Sequence, residues 1–370
     1  MNPSPAAQPK HPSTRGLIQL FALLLALLCT LPSTLSAQDQ DQGRLVFKAG
    51  IEHDSNTRRQ IGSETLPDQA LRLFAKLSQQ VTLGTLALLD TRLLFGAKAH
   101  RDIPDEDAFV SSAQIALKSP LWTTDSAALA LLCSADFADR SERSSQRDYT
   151  RASAIAGLGA QWWRLSASIM GGGHAFIYKP QLEANHAGWM LHSSVALALL
   201  DELELGVSYA LIDRAFDSMR FVDVESIITT DEHTKRRDSL HAVRASLSYK
   251  HGFIASAAYS LQLNQSNSVG PGLVRHGVDL LWTQEVFWTI MLSAKLRLLR
   301  THYDDPVRID QTLAIDDADR NELGITLSIP LFSTLQLELG YAFFGEALGS
   351  QADFSRHLAY LGFEFGTEQR

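Results

Sequence analysis

Hydrophobic and polar residues alternate along most of the chain. Between residues 335 and 343, every odd position is apolar, and the sequence there carries Leu335, Leu337, Leu339, Tyr341 and Phe343. The same period of two recurs from 203 to 209 and from 253 to 263. Because successive side chains of a β-strand point to opposite faces, this period predicts strands with one apolar face and one polar face.

The length of these alternating stretches favours a membrane-spanning barrel over a soluble β-sandwich. They run for about ten to thirteen residues, which suits a tilted strand crossing a bilayer with lipid on its apolar face. No stretch of eighteen apolar residues follows the start of the chain, which argues against ordinary transmembrane helices. We therefore predict an all-β fold, a transmembrane antiparallel up-and-down β-barrel of about 16 strands, with 14–18 left open.

Long and short connections take turns between the predicted strands. The short ones include 201–202, 251–252 and 332–334, and the long ones include 54–69 and 303–320. This rhythm is typical of a barrel with short turns on one rim and long loops on the other. In the middle and at the end of the chain the predicted strands are Thr150–Gln161, Trp163–Ile177, Ala187–Leu200, Leu203–Arg214, Ser239–Lys250 and Phe354–Phe365.

The longest connection, residues 215–238, has two interpretations. It either folds inward as a constriction or extends a hairpin beyond the membrane. Its alternation continues through Phe221 and Val222, which favours the extended hairpin.

The start of the chain predicts secretion. Residues 1–37 carry Lys10 and Arg15, an apolar stretch from Leu17 to Leu28, and small residues at 36 and 37, as a cleaved signal peptide does. A short polar segment, 38–43, follows, and residues 44–370 form one predicted barrel domain. Cys29 lies within the leader, so Cys133 alone remains after cleavage, and its parity makes it a small hydrophobe on the apolar face.

The tryptophans and histidines indicate membrane interfaces and do not form a catalytic or metal site. Trp122, Trp162, Trp163, Trp282 and Trp288 lie near predicted short turns, and Trp189 lies near the opposite end of its strand, which predicts interfacial aromatic girdles. His192 and Ser194 resemble a lipid-deacylase pair, but their parity directs them away from lipid. We predict no catalytic site, no metal, no cofactor and no nucleic-acid partner.

The last strand resembles the aromatic-ended assembly signal of bacterial outer-membrane porin-type β-barrels. The residues are Ala359, Leu361, Phe363 and Phe365, followed here by five further residues. The resemblance covers the whole predicted barrel. It implies location in the outer membrane of a Gram-negative-type envelope, with outer-membrane lipid, lipopolysaccharide and the barrel assembly machinery as partners.

A second resemblance is local. Residues 50–56, Gly-Ile-Glu-His-Asp-Ser-Asn, are similar to the opening of barrels that serve exopolysaccharide export or secretion. It implies periplasmic polysaccharide export proteins as partners. Turn chemistry alone also selects Asp-Ser-Asn, so this reading stays open.

The inward parity selects a set of candidate lumen-lining residues. The chain has a formal net charge of −8, yet this face leans basic, which predicts a mild preference for anions. The alternative is that opposite charges on neighbouring strands pair and keep the bore wet. The candidates are Lys48, Glu52, Arg72, Lys76, Asp90, Arg92, Lys98, Lys118, Arg164, Arg244, Arg275, Asp279, Lys295, Arg297, Glu322 and Glu338.

Few aromatic residues have inward parity. Phe74 and Tyr360 are the exceptions, so we expect no aromatic row of the kind that stacks sugars.

Two transport functions compete. The first is passage of polysaccharide during export, favoured by residues 50–56 and by the absence of an identifiable early constriction loop. The second is general diffusion of small solutes with a mild anion preference. An outer-membrane enzyme or adhesin is a third class of function, which the sequence favours less.

Overall fold

The structure is a computed structural model that describes residues 42–59, 65–84, 87–144, 147–180, 182–224, 227–287, 289–305, 320–347 and 353–369. The predicted signal peptide, most of the polar segment 38–43, and Trp288 lie outside the described residues.

Sixteen antiparallel strands form the described chain, each paired with its neighbours in sequence. Between them lie two single-turn 3₁₀ helices, Pro104–Glu106 and Leu182–Ala184. Their bounds are β1 Gln42–Asp54, β2 Asp68–Leu83, β3 Ala87–His100, β4 Ala108–Thr123, β5 Ala127–Glu142, β6 Tyr149–Trp162, β7 Leu165–Tyr178, β8 His186–Ala198, β9 Leu203–Val224, β10 Ile227–His251, β11 Phe253–Ser266, β12 Leu273–Phe287, β13 Ile290–Tyr303, β14 Asn321–Phe332, β15 Leu335–Ala347 and β16 Asp353–Gln369.

The sheet closes on itself because β1 pairs with β16. Their register runs from Gly43 opposite Gln369 to Asp54 opposite Leu358. Closure satisfies the backbone groups of both terminal strands, as a sheet surrounded by hydrocarbon requires. The predicted closed antiparallel barrel of about 16 strands is confirmed.

The predicted rhythm of short turns and long loops is also confirmed. Gly252 alone joins β10 to β11, with a φ of +70° that favours glycine. The long-loop rim carries the connection from Ser55 to Pro67 and the one between β13 and β14. Since the strand number is even, β1 begins and β16 ends at the short-turn rim.

Two strand ends differ from the sequence prediction. β9 runs to Val224 and β10 starts at Ile227, beyond the predicted ends at Arg214 and Ser239, and the two strands pair there as the predicted extended hairpin does. β16 continues past Phe365 to Gln369, because Gly366 and Thr367 still pair with β1.

The outer face of the barrel is apolar and exposed. Ile51 is 58% exposed, Val195 49% and Leu361 50%, and each alternates with inward-facing neighbours along its strand. A continuous apolar face of this kind is the surface that a barrel presents to lipid. Cys133 lies on this face by the same alternation, as predicted.

Aromatic residues mark both edges of the apolar band. Trp122, Trp162 and Trp163 are exposed at the short-turn rim, and Trp189 lies toward the other rim. Near the long-loop rim, three outward tyrosines donate to or accept from histidine rings at 2.7–2.8 Å. The pairs are Tyr209–His241, Tyr259–His276 and Tyr341–His357. These polar contacts suit the headgroup zone, where one end of the ring is apolar and the other wet.

Among the described residues, no helix has the length and apolar character needed to cross a membrane.

Candidate functional site

The inner wall is coated with ion pairs between neighbouring strands. Arg244 and Arg297 both contact Asp279, at 2.6 and 2.7 Å. Lys295 contacts Glu322 at 2.6 Å. Direct cross-strand partners and their diagonal neighbours lie close enough for such pairs. The predicted inward charges therefore meet carboxylates on adjacent strands, which supports the pairing alternative over a basic bore.

The pairs continue around β1 and its neighbours. Lys48 lies between Glu338 at 2.6 Å and Glu364 at 2.7 Å. Asp90 and Arg92 pair at 3.0 Å within β3.

A buried network joins the first and last strands. Arg356 of β16 contacts Asp54 of β1 through two nitrogens, at 3.0 and 2.5 Å, and Asp54 is 0% exposed. Lys98 reaches Asp54 at 3.4 Å and Glu52 at 2.7 Å. Glu52 also accepts from Arg72 at 2.9 Å. A bidentate guanidinium–carboxylate pair fixes orientation as well as charge, so this network holds the closing seam.

Four predicted residues behave differently. Lys76 and Lys118 have inward register positions and are exposed, with no ion pair among the described residues. Arg275 donates to the Thr301 hydroxyl at 2.9 Å. Arg164 lies in the β6–β7 turn, where it contacts Asp201 at 3.0 Å, so it belongs to the mouth and not to the strand in which we predicted it.

A recess of about 450 Å³ opens on the inner wall between β1–β2 and β12–β16. Tyr360 lies at its floor, over the directly paired glycines Gly50 and Gly362. A Cβ added at Gly50 would come within 2.5–2.6 Å of the backbone of β16 and within 2.7 Å of the Tyr360 ring, so glycine lets both the neighbouring strand and the ring lie close to β1. The Arg72 guanidinium lies 5.7 Å from the ring centroid.

The expectation of few inward aromatics is wrong at the long-loop rim. Phe176 stacks on Tyr149 at 5.6 Å and on His186 at 5.1 Å between centroids, and His186 is 4.8 Å from Phe216. The Arg236 guanidinium covers Phe216 at 3.9 Å. Three of these four rings lie just beyond the predicted strand ends, where their face was not assigned.

Tyr149, Phe176, His186 and Phe216 form an aromatic row whose rings contact one another. Its rings face one another along the wall, and Phe216 is 6% exposed. Beside it, His174 contacts the Asp213 carbonyl at 2.8 Å across the glycine at position 188, where a Cβ would collide with that carbonyl. The row therefore stiffens four strands and presents few open ring faces to the bore.

The long-loop rim is also held by charge. Arg147 contacts the carboxylate of Glu106 and, at 2.9 Å, that of Glu142. Burial raises the pKa of Glu106 above its ordinary value, although Arg147 opposes the shift. Because the folded state holds this proton more tightly, the carboxyl contributes most to stability below its ordinary pKa, and that contribution is lost as the pH rises through the folded value.

The His192–Ser194 step shows no nucleophile geometry. The hydroxyls of Ser194 and Ser168 form a hydrogen bond of 2.8 Å. Ser194 lies on the inner face, whereas its neighbour Val195 is exposed on the outer face. A serine nucleophile needs a base within hydrogen-bond reach.

Comparison with known proteins gives likeness of fold alone. No protein family and no curated protein matches the sequence. Among solved structures, OmpF of Salmonella typhi is 9% identical with a TM-score of 0.49, covering 87% of this chain and 97% of that one. The toluene transporter TodX of Pseudomonas putida is 8% identical with a TM-score of 0.40, covering 92% and 93%. OmpT of Vibrio cholerae is 9% identical with a TM-score of 0.44, covering 89% and 100%.

The architecture is that of a closed, antiparallel up-and-down β-barrel. The closed ring of 16 antiparallel strands establishes it. Two signals in the sequence point to the site residues. The inward parity located the charges, and the glycines at 50 and 362 mark where a ring lies against the wall.

Proposed function

We propose that the chain is an outer-membrane channel that passes polar cargo through its bore. The observation that carries the proposal is the contrast between the two faces of one closed sheet. The outer face is apolar and exposed, whereas the inner face carries paired charges from β1 around to β16. A barrel of this strand number leaves an aqueous passage when its interior is polar.

The finer proposal is polysaccharide export, with general diffusion of small solutes as the alternative. Residues 50–56 support export by their likeness to export barrels. The compensated inner charges also support it, because a wall without strong local charge lets a long polar chain slide without being trapped. In this proposal residues 1–37 direct secretion, lipopolysaccharide and the assembly machinery are partners, and periplasmic export proteins deliver the polymer.

Planar-bilayer conductance tests the channel and separates the two cargoes. Stable open steps that a soluble polymer does not block favour diffusion, whereas steps that the polymer blocks, or that open only after polymer is added, favour export. Purified, folded protein that neither conducts nor responds to polymer contradicts both and favours an enzyme or adhesin.

Because the charges on the inner wall are paired, we expect the channel to be only weakly ion-selective. Removing one shared carboxylate should make it selective for anions. Asp279→Asn leaves the positive charges of Arg244 and Arg297 without their shared carboxylate, so we expect the reversal potential in a KCl gradient to shift toward chloride. Asp102→Asn, at a carboxylate 71% exposed on the long-loop rim, is the matched control and should leave the potential unchanged. Equal shifts in the two variants would show that the inner pair does not set the field in the bore.

A further inference from the structure

We propose that the recess above Tyr360 is a binding subsite for one uncharged pyranose unit of an oligosaccharide. The inference rests on the proposed channel function, because the subsite lies on the wall of the bore. It adds the chemical class of the cargo, and it replaces the anion preference expected from the sequence.

The floor of the recess is an aromatic platform. Gly50 and Gly362 are direct cross-strand partners, and their missing side chains leave the space that the Tyr360 ring occupies. On the next strand, a Cβ at Gly340 would only make ordinary contact with Tyr360 at 3.6 Å, so the glycines of β1 and β16 are the ones that leave room for the ring. A ring lying along the wall turns one face toward the bore, and the apolar C–H face of a pyranose packs well on such a surface.

The sides of the recess supply polar groups of both kinds. Lys48 and Glu338 lie on one side and Lys295 and Glu322 on the other, while the guanidinium of the half-exposed Arg72 lies over the Tyr360 ring, 5.7 Å from its centroid. Sugar hydroxyls donate and accept, so each can bond a cation and a carboxylate together. A volume of about 450 Å³ falls within the range of small-ligand sites and accommodates a hexose ring with its hydroxyls.

The charge balance selects an uncharged unit. The three cations lining the recess each have a carboxylate partner at 2.6–2.9 Å. A carboxylated or sulfated sugar would have to displace one of these carboxylates, leaving a charge on the wall without its counterion. A hydroxyl pair can join the existing ion pairs without breaking them.

The aromatic row at the long-loop rim does not provide a competing platform. Its rings stack on one another at 4.8–5.6 Å, and Arg236 covers the last of them. The proposal is therefore a single subsite and not a continuous slide.

Titration calorimetry on the folded protein in detergent tests the subsite independently of transport. The probes are maltohexaose, cellohexaose and chitohexaose, with an oligogalacturonate of equal length as the charged comparison. We expect at least one uncharged hexamer to bind more tightly than the oligogalacturonate. Tyr360→Leu should weaken that binding about 3- to 10-fold, the loss expected for one aromatic contact.

Tyr259→Leu is the matched control, because Tyr259 is 47% exposed on the outer face. It should bind like the unchanged protein. Binding of no uncharged hexamer, tighter binding of the oligogalacturonate, or equal weakening by both variants overturns the subsite. Bilayer conductance of the same preparations reports the channel function separately, so a conducting barrel without sugar binding refutes the subsite alone, and a sugar-binding barrel that never conducts refutes the channel alone.

Discussion

Replacing Arg356 by methionine is expected to lower the free energy of unfolding by about 3 kcal/mol. The substitution removes both contacts to the Asp54 carboxylate, which is 0% exposed, and breaking one partner out of a buried pair typically costs about 3–5 kcal/mol. Lys98 still reaches Asp54 at 3.4 Å, which places the expected loss at the low end of that range. Urea unfolding of the protein in lipid vesicles, followed by tryptophan fluorescence, measures it.

A second arginine provides the control for this prediction. Arg101 lies 3.9 Å from Asp102 at the same rim, and both side chains are 71% exposed. Exposed ion pairs contribute little to stability, so Arg101→Met should lower the free energy of unfolding by no more than about 0.5 kcal/mol. If the two methionine variants unfold alike, the seam is held by backbone pairing alone and the Asp54–Arg356 contact adds nothing.

Placing arginine on the outer face in the middle of β14 should cost about 2–4 kcal/mol, as charged side chains do near the centre of a bilayer. Ile325 is 44% exposed on that face and pairs with Ala294 and Tyr341. Its neighbour Thr326 points inward, opposite Ser293 and Gly340, so Thr326→Arg gains access to water and should cost less than about 1 kcal/mol.

The two arginine variants differ by one position along one strand, so they share depth and strand propensity. Ile325 and Thr326 are both β-branched, so the difference between the variants reports chiefly which solvent each face meets. Unfolding in vesicles of one lipid composition provides both values. An equal cost, or a larger cost at Thr326, would contradict the assignment of lipid to the outer face and water to the bore.

The strand count and the faces were predictable from sequence because hydrocarbon enforces a strict period of two. Where the strands leave the bilayer, both faces meet water and the alternation disappears. The predicted strands therefore stopped at Arg214 and began at Thr150 and Ala187, short of Phe216, Tyr149 and His186. Those omissions hid three of the four inward rings, whereas Phe176 lies inside its predicted strand and its inward parity was overlooked.

Parity located the inward charges, but it did not say which charges meet. Asp279 and Arg297 lie directly opposite each other on β12 and β13, where a short turn fixes the register, and such pairs are accessible to sequence reasoning. Asp54 and Arg356 are separated by 302 positions, and their contact depends on how far the ring is staggered when it closes. Nothing local in the sequence encodes that stagger.

The β9–β10 hairpin gives the long-loop rim an uneven height. β8 pairs with β9 only as far as Phe216, and β11 pairs with β10 only as far as Asp238, so the remainder of the hairpin continues without strands beside it. From Phe216 to Val224 the chain advances about 25 Å at the usual rise of a strand. In the proposed channel, a bulky molecule approaching this rim, such as an antibody or a phage fibre, would therefore meet the hairpin before the bore, while a small solute would enter from the lower flank.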